Sequence, residues 1–373
     1  MPPEKAMRRE IRKAGFVTEG AIIVRTLGLE GMASPIPEGE SGIIALRAAP
    51  NGRIYGLTHG TRSHLFVYDP FPTEDFVIDL GVVGENTTGG DIFCAGDGLV
   101  YGIVFGGRDS STVQTSVFRY DPSGDYVGLE HGMWTAAPEM LSWPLEGSRV
   151  SKLAFDSDTG LAYGLLLPGN VLFSYRGESG ELAKLAQVEG RVVPPVVCVA
   201  DGVVYGVGEW GVVFRYDPEA GEIERTDMVI PAGKGKDYVN EASALVYDDV
   251  SRTIYGGTSV DGYLFFIDLE SEEVVCCGKP TDQPYVRCLT VGLDGRVYGV
   301  VGQPKRGMCH LVRYDPRNGD LRDLGIPFGT VTEHWVAHEI DAICTSRNGH
   351  IVLGENDRIS HLMVYCPAVE RRR

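Results

Sequence analysis

Apolar and polar positions along this chain fall into short, strand-length runs separated by turn residues, and one pattern recurs. Residues 201–218 read DGVVYGVGEWGVVFRYDP: a tight-turn dipeptide, a strand ending in Tyr-Gly, a loop, a second strand and a Tyr-Asp-Pro turn. Six other segments follow the same plan. Aligned on the dipeptide they are Tyr55-Gly56, Tyr101-Gly102, Tyr163-Gly164, Tyr205-Gly206, Tyr255-Gly256, Tyr298-Gly299 and Leu353-Gly354, at spacings of 42 to 62 residues. That period suits one four-stranded unit per repeat.

Most repeats carry a hairpin signal before Tyr-Gly: Asn51-Gly52, Asp97-Gly98, Thr159-Gly160, Asp201-Gly202, Asp294-Gly295 and Asn348-Gly349. Asn-Gly and Asp-Gly tolerate positive φ at both turn positions, so they favour type I′ two-residue hairpins. The fifth repeat has Val250-Ser251-Arg252 instead. A third strand follows each Tyr-Gly, as in LFVYDP (65–70), VFRYDP (117–122 and 213–218) and LVRYDP (311–316). Proline after Asp presets a turn and stops the ladder. The fourth strand ends in Asp-Leu-Gly at 79–81 and 323–325.

The last repeat ends at Pro367 with no fourth strand left, and AIIVRTLGL (21–29), whose Thr-Leu-Gly matches those endings, is expected to supply it. On these repeats the chain resembles a seven-bladed β-propeller of the broad Kelch/WD type. The resemblance implies an all-β fold of four-stranded antiparallel blades over 21–367, closed by the N-terminal strand completing the C-terminal blade. An arm (1–20) and a tail (368–373) flank that single domain.

Net charge is −17, so no overall field draws in nucleic acid or an anionic membrane. No run of about 18 apolar residues suggests a bilayer span, and the basic N-terminus lacks the apolar core of a secretory signal. The eight cysteines show no CxxC pair, and Cys94, Cys198, Cys288 and Cys344 lie in apolar strand patterns. A reduced, cytoplasmic setting is expected.

In a propeller the b–c and d–a loops share one face, and here they are the longer, richer set, the usual place for binding residues. All four tryptophans are expected there and none in a strand: Trp134 and Trp143 in the insertion 131–148, Trp210, and Trp335. Rigid aromatic rings of this kind suit stacking on sugars, and packing within the insertion is the other reading for Trp134 and Trp143. Arg149, Glu241 and Glu339 each stand 14 residues before their repeat's Tyr-Gly position, and Arg287 stands 11 before Tyr298. That register places them at the mouth of the central channel, either as a small-molecule site or as a solvated rim of paired charges.

His64, His310 and His361 each precede the Tyr of the third strand by four residues. They either pack as satisfied imidazoles or converge on a metal. His334 and His338 share i, i+4 spacing, but Glu339 is out of place for an HExxH site.

The chain also looks like propeller lyases, such as oligogalacturonate, ulvan and rhamnose–glucuronate lyases, at the level of fold. That likeness implies β-elimination on a uronic-acid-containing oligosaccharide. The chemistry needs a cation at the substrate carboxylate (Arg287 or Arg62), a base (His338 or His59) and an acid (Tyr238 or Tyr285). Arg62, Arg149, Trp210, Asn240, Glu241, Tyr285, Trp335 and Glu339 are the expected substrate-binding set. Two alternatives stand beside it: a non-catalytic propeller binding a protein or peptide on the long-loop face, and a metal-dependent hydrolase or lyase with a divalent ion.

Overall fold

The computed structural model describes residues 17, 19–26, 36–70, 76–107, 112–128, 132–134, 136–142, 147–190, 192, 195–303, 306–330 and 334–368. Among these residues there are antiparallel strands and short 3-10 turns, and no α-helix. The sheets are meanders, each strand pairing with the next in sequence, as in Val197–Ala200, Val203–Val207, Val212–Asp217 and Glu222–Val229. Units beginning at Ala242 and at Val286 repeat this order. In the third repeat the inner strand is split into Arg149–Val150 and Ala154–Asp156, both on Leu161–Leu167. The C-terminal sheet takes Ala21–Thr26 as its outer strand, in register from Ala21 against Cys366 to Thr26 against His361. Just before that strand, the Val17 amide donates to the Ile326 carbonyl and Glu19 pairs with Arg313. Residues 1–16 and 18 of the expected N-terminal arm lie outside the described residues.

The chain is a β-propeller of four-stranded antiparallel units, but its seven repeats occupy six sheets rather than seven. The first two repeats share one six-stranded sheet, because the loops expected to divide them stay extended and pair with each other. Gly60 faces Thr87 and Arg62 faces Glu85, so Ile54–Asp69 and Phe76–Cys94 run through what would be two loops. The last residues of Phe76–Cys94 then pair with Val100–Gly106 and begin the second repeat.

The Tyr-Gly motif has a packing cause. Its glycine sits opposite the third-strand Phe: Gly102 faces Phe118, Gly164 faces Phe173, Gly206 faces Phe214 and Gly256 faces Phe265. The ring lies across the glycine, where a Cβ at Gly206 would stand 2.3 Å from Phe214 Cζ. The tyrosine ties the same strand to its turn: Tyr101 and Tyr298 donate to Asp97 and Asp294, at 2.9 and 2.8 Å. Gly206→Ala is therefore expected to cost roughly 1–3 kcal/mol by overpacking, seen as a lower urea midpoint. Gly96→Ala, which meets nothing within 4 Å, is expected to leave the midpoint in place.

Type I′ geometry occurs at Asp201-Gly202, where both φ angles are positive. At 49–52, 95–98, 292–295 and 346–349 only the final glycine is left-handed, and its amide closes an i to i+3 bond, as from Gly52 to the Ala49 carbonyl. These are type I turns followed by a left-handed glycine. The Asn or Asp side chain explains the change. It accepts from the amide two residues on, as Asp97 does from Leu99, and that local bond favours an Asx turn over positive φ.

Trp134 and Trp335 correct the expectation of tryptophans outside strands: they end or centre the short ribbon strands Gly132–Trp134 and His334–Val336. Trp143 lies outside the described residues. All eight cysteines are free, and Cys198, Cys288, Cys309 and Cys344 are buried.

Candidate functional site

The inner strands pack side by side around a channel of about 120 Å³, and its polar lining is Arg47, Lys152, Ser243, Arg287 and Asp341. Arg47 pairs at 2.8 Å with Asp91, which is fully buried, and also donates to the Leu153 carbonyl at 3.3 Å. Lys152 donates to the Ile44 carbonyl. Neither cation was foreseen from the sequence, although Lys152 precedes Tyr163 by the same 11 residues that separate Arg287 from Tyr298.

From the channel-lining Arg287 and Asp341, one hydrogen-bonded path crosses three sheets. His59 Nε2 lies 2.7 Å from Asn356 Oδ1, and Asn356 Nδ2 donates to Asp341 Oδ2 at 2.6 Å. Asp341 Oδ1 accepts from Arg287 at 2.5 Å, and the same guanidinium nitrogen reaches Glu339 at 3.2 Å. Arg287 Nε is spent on the Ile340 carbonyl, and the side chain is only 3% exposed. Burial alone would weaken its charge, but Asp341 and Glu339 more than offset that and keep it protonated. Beside it, burial pushes the Tyr285 phenol up; Arg287 pulls the other way, and Asp341 and Glu241 add to the rise. Glu241 accepts from Ser259 at 3.2 Å.

The structure thus brings His59, Arg287 and Glu339 onto one path with Tyr285 and Glu241 nearby, through two residues, Asn356 and Asp341, outside the expected set. The remaining expected residues make no described bond to that path. His338 is half-buried, its amide donating to Glu355 and its carbonyl accepting from Cys309, both at 3.2 Å. Arg62 is committed to Glu40 at 3.0 Å, and Arg149 donates to the Gly107 carbonyl at 2.9 Å. Asn240 is buried and donates to the Ile230 carbonyl at 2.7 Å. Trp210 is 51% exposed at φ 64°, and its turn packs against the turn bearing Tyr238, which is 68% exposed. The side chain of Trp335 lies outside the described residues.

The three periodic histidines do not converge. Each meets its own carboxylate: His64 with Asp79 and Glu40, His310 with Asp323, and His361 with Glu355. Asp79 and Asp323 are the aspartates of the Asp-Leu-Gly endings. In the last sheet the His361 imidazole meets Glu355 instead. Among the described residues no three His, Cys, Asp or Glu gather as a metal site. For His64, burial would lower the pKa, but Asp79 and then Glu40 raise it above the ordinary value. A raised histidine stabilises the fold fully below the unfolded pKa, and this contribution is lost as pH rises through the folded pKa. Wild-type melting temperature is expected to fall, as pH rises above about 6.5 and through the raised His64 pKa, more steeply than that of His64→Gln.

No family model matches this chain, and no curated protein matches it. Among solved structures it is similar to a streptogramin B lyase, with TM-score 0.64 and 10% identity over 92% of this chain and 97% of that one. A catalytically inactive variant of virginiamycin B lyase from Staphylococcus aureus, with quinupristin, gives 0.62 and 11% over 92% and 99%. The WD40 repeats of RRP9 give 0.58 and 12% over 95% and 99%. At such identities the likeness is one of fold: a WD40-like β-propeller.

Proposed function

We propose that this chain is a lyase that cleaves a uronic-acid-containing oligosaccharide by β-elimination at the channel mouth. The observation that carries this reading is a channel lined by Lys152 and Arg47, with His59 joined through Asn356 to the channel-lining Asp341 and Tyr285 beside the channel-lining Arg287. The channel volume of about 120 Å³ admits a carboxylate, since a water's share of liquid volume is about 30 Å³. Lys152 then offsets the carboxylate charge and acidifies the adjacent C–H. His59 takes that proton, the electron pair forms the C=C bond, and the β C–O bond breaks. Tyr285, held as the phenol by burial, gives its proton to the leaving oxygen.

One role moves outside the expected set and two are narrowed within it. Arg287, Arg62 and Arg47 spend their charge on Asp341, Glu339, Glu40 and Asp91, so the cation role passes to Lys152, which is bonded to the neutral Ile44 carbonyl. His59 is preferred to His338 as base because it ends the path at the mouth. Tyr285 is preferred to Tyr238 because it stands beside Arg287. Two of the similar structures are lyases by name, which supports the reaction class. The exposed Trp210 and Tyr238 on adjoining turns favour a second reading, a partner-binding face.

The test is a panel of short uronic oligosaccharides, each paired with the same sugar after its carboxylates are reduced to alcohols. Absorbance of an unsaturated product should grow with the acids and not with their reduced forms. A panel without product, or equal cleavage of the reduced sugars, sinks the proposal.

A further inference from the structure

We infer that Asn356 and Asp341 set the tautomer of His59, leaving Nδ1 as the proton-accepting atom. Its catalytic meaning rests on the lyase reading; the tautomer itself does not. A carboxylate can only accept hydrogen bonds. With Asn356 Nδ2 2.6 Å from Asp341 Oδ2, the amide nitrogen must face the carboxylate, and Oδ1 must face the imidazole. That oxygen also only accepts, so the His59 Nε2 at 2.7 Å carries the hydrogen. In a neutral ring the other nitrogen is then bare, and Nδ1 has no hydrogen-bond partner among the described residues.

Each link is held from behind. Arg287 at 2.5 Å fixes Asp341, and the Ile340 carbonyl at 3.0 Å fixes Arg287. The Asn356 amide donates to the Glu339 carbonyl at 2.8 Å, which sets the height of its side chain. Gly42 supplies the space: a Cβ there would stand 2.7 Å from Asn356 Oδ1 and 2.9 Å from His59 Nε2. Asn356 and Asp341 are thus positioning residues, and Gly42 is the gap that lets them act.

Nitrogen-15 NMR of the full chain, at a pH about two units above the ordinary histidine value, reads the tautomer directly. Wild type is expected to hold the Nε2–H form of His59 at least tenfold over the alternative. Asn356→Leu should return the ring to a mixture and lower kcat by about ten- to a hundredfold with KM little changed. Gly42→Ala, which keeps every partner but wedges them apart, should shift the tautomer in the same direction and covers the case in which Asn356→Leu misfolds. A hydrogen on Nδ1 in wild type, or a His59 spectrum unmoved in both variants, overturns the inference. The expected tautomer in a protein that cleaves no uronic sugar upholds it and overturns the lyase reading instead.

Discussion

His59→Ala is expected to lower kcat by about a hundredfold or more on any uronic sugar the protein is found to cleave, with the protein still folded. General bases commonly contribute 10² to 10⁴ in rate. Among the described residues, His59 is the imidazole bonded to the path through Asn356 and Asp341. The loss should fall on kcat, because in the proposed reaction the substrate's charge is met elsewhere, by Lys152. His310→Ala is the control. His310 is spent on Asp323, so its removal should leave kcat within about twofold if the base assignment is right. Equal losses in the two variants, or none in His59→Ala, would remove His59 from the reaction.

The largest effect on stability is expected from Arg287→Met. Removing one partner of a buried ion pair costs roughly 3–5 kcal/mol, mostly from the charges left behind. Here Glu339 and Asp341 keep 15% and 28% of their side-chain surface. Water therefore screens them, and the lower end, about 3 kcal/mol, is the expectation. Methionine retains the apolar stem, so the loss reports charge rather than volume. Urea denaturation gives the number, and adding Asp341→Leu should recover part of it because the two residues are coupled. An additive double variant would show that Arg287 acts through packing alone.

Much of the architecture was legible because its causes are local. Gly206 and Phe214 are eight positions apart and face each other across one hairpin, a pairing that recurs at Gly102, Gly164 and Gly256, while Val312 and Leu362 take the place of Phe opposite Gly299 and Gly354. The turns were legible only in part. Asp97 bonds to the amide of Leu99, and that single contact selects a type I turn where the dipeptide alone suggests type I′. The number of sheets depended on two loops finding one another, Gly60 against Thr87. Nothing in either loop taken by itself announces the pair.

The site was less legible, and distance along the chain is the reason. His59 and Asn356 touch across 297 positions, and each reads in isolation as an ordinary loop residue. Arg287 and Glu339 share an ion pair, and Arg287 lines the channel, but an offset cannot tell a guanidinium that meets substrate from one spent on its own fold.

By itself, the order of residues determined a repeated antiparallel unit, its tyrosine-to-turn and glycine-to-phenylalanine contacts, and a decorated end of the barrel of sheets. Those follow from hydrogen bonds and steric fits that close within one repeat. Which side chains share a proton path, and which cations face the open channel, was decided only in three dimensions. Strands from distant repeats meet there, and burial then assigns each charge its partner.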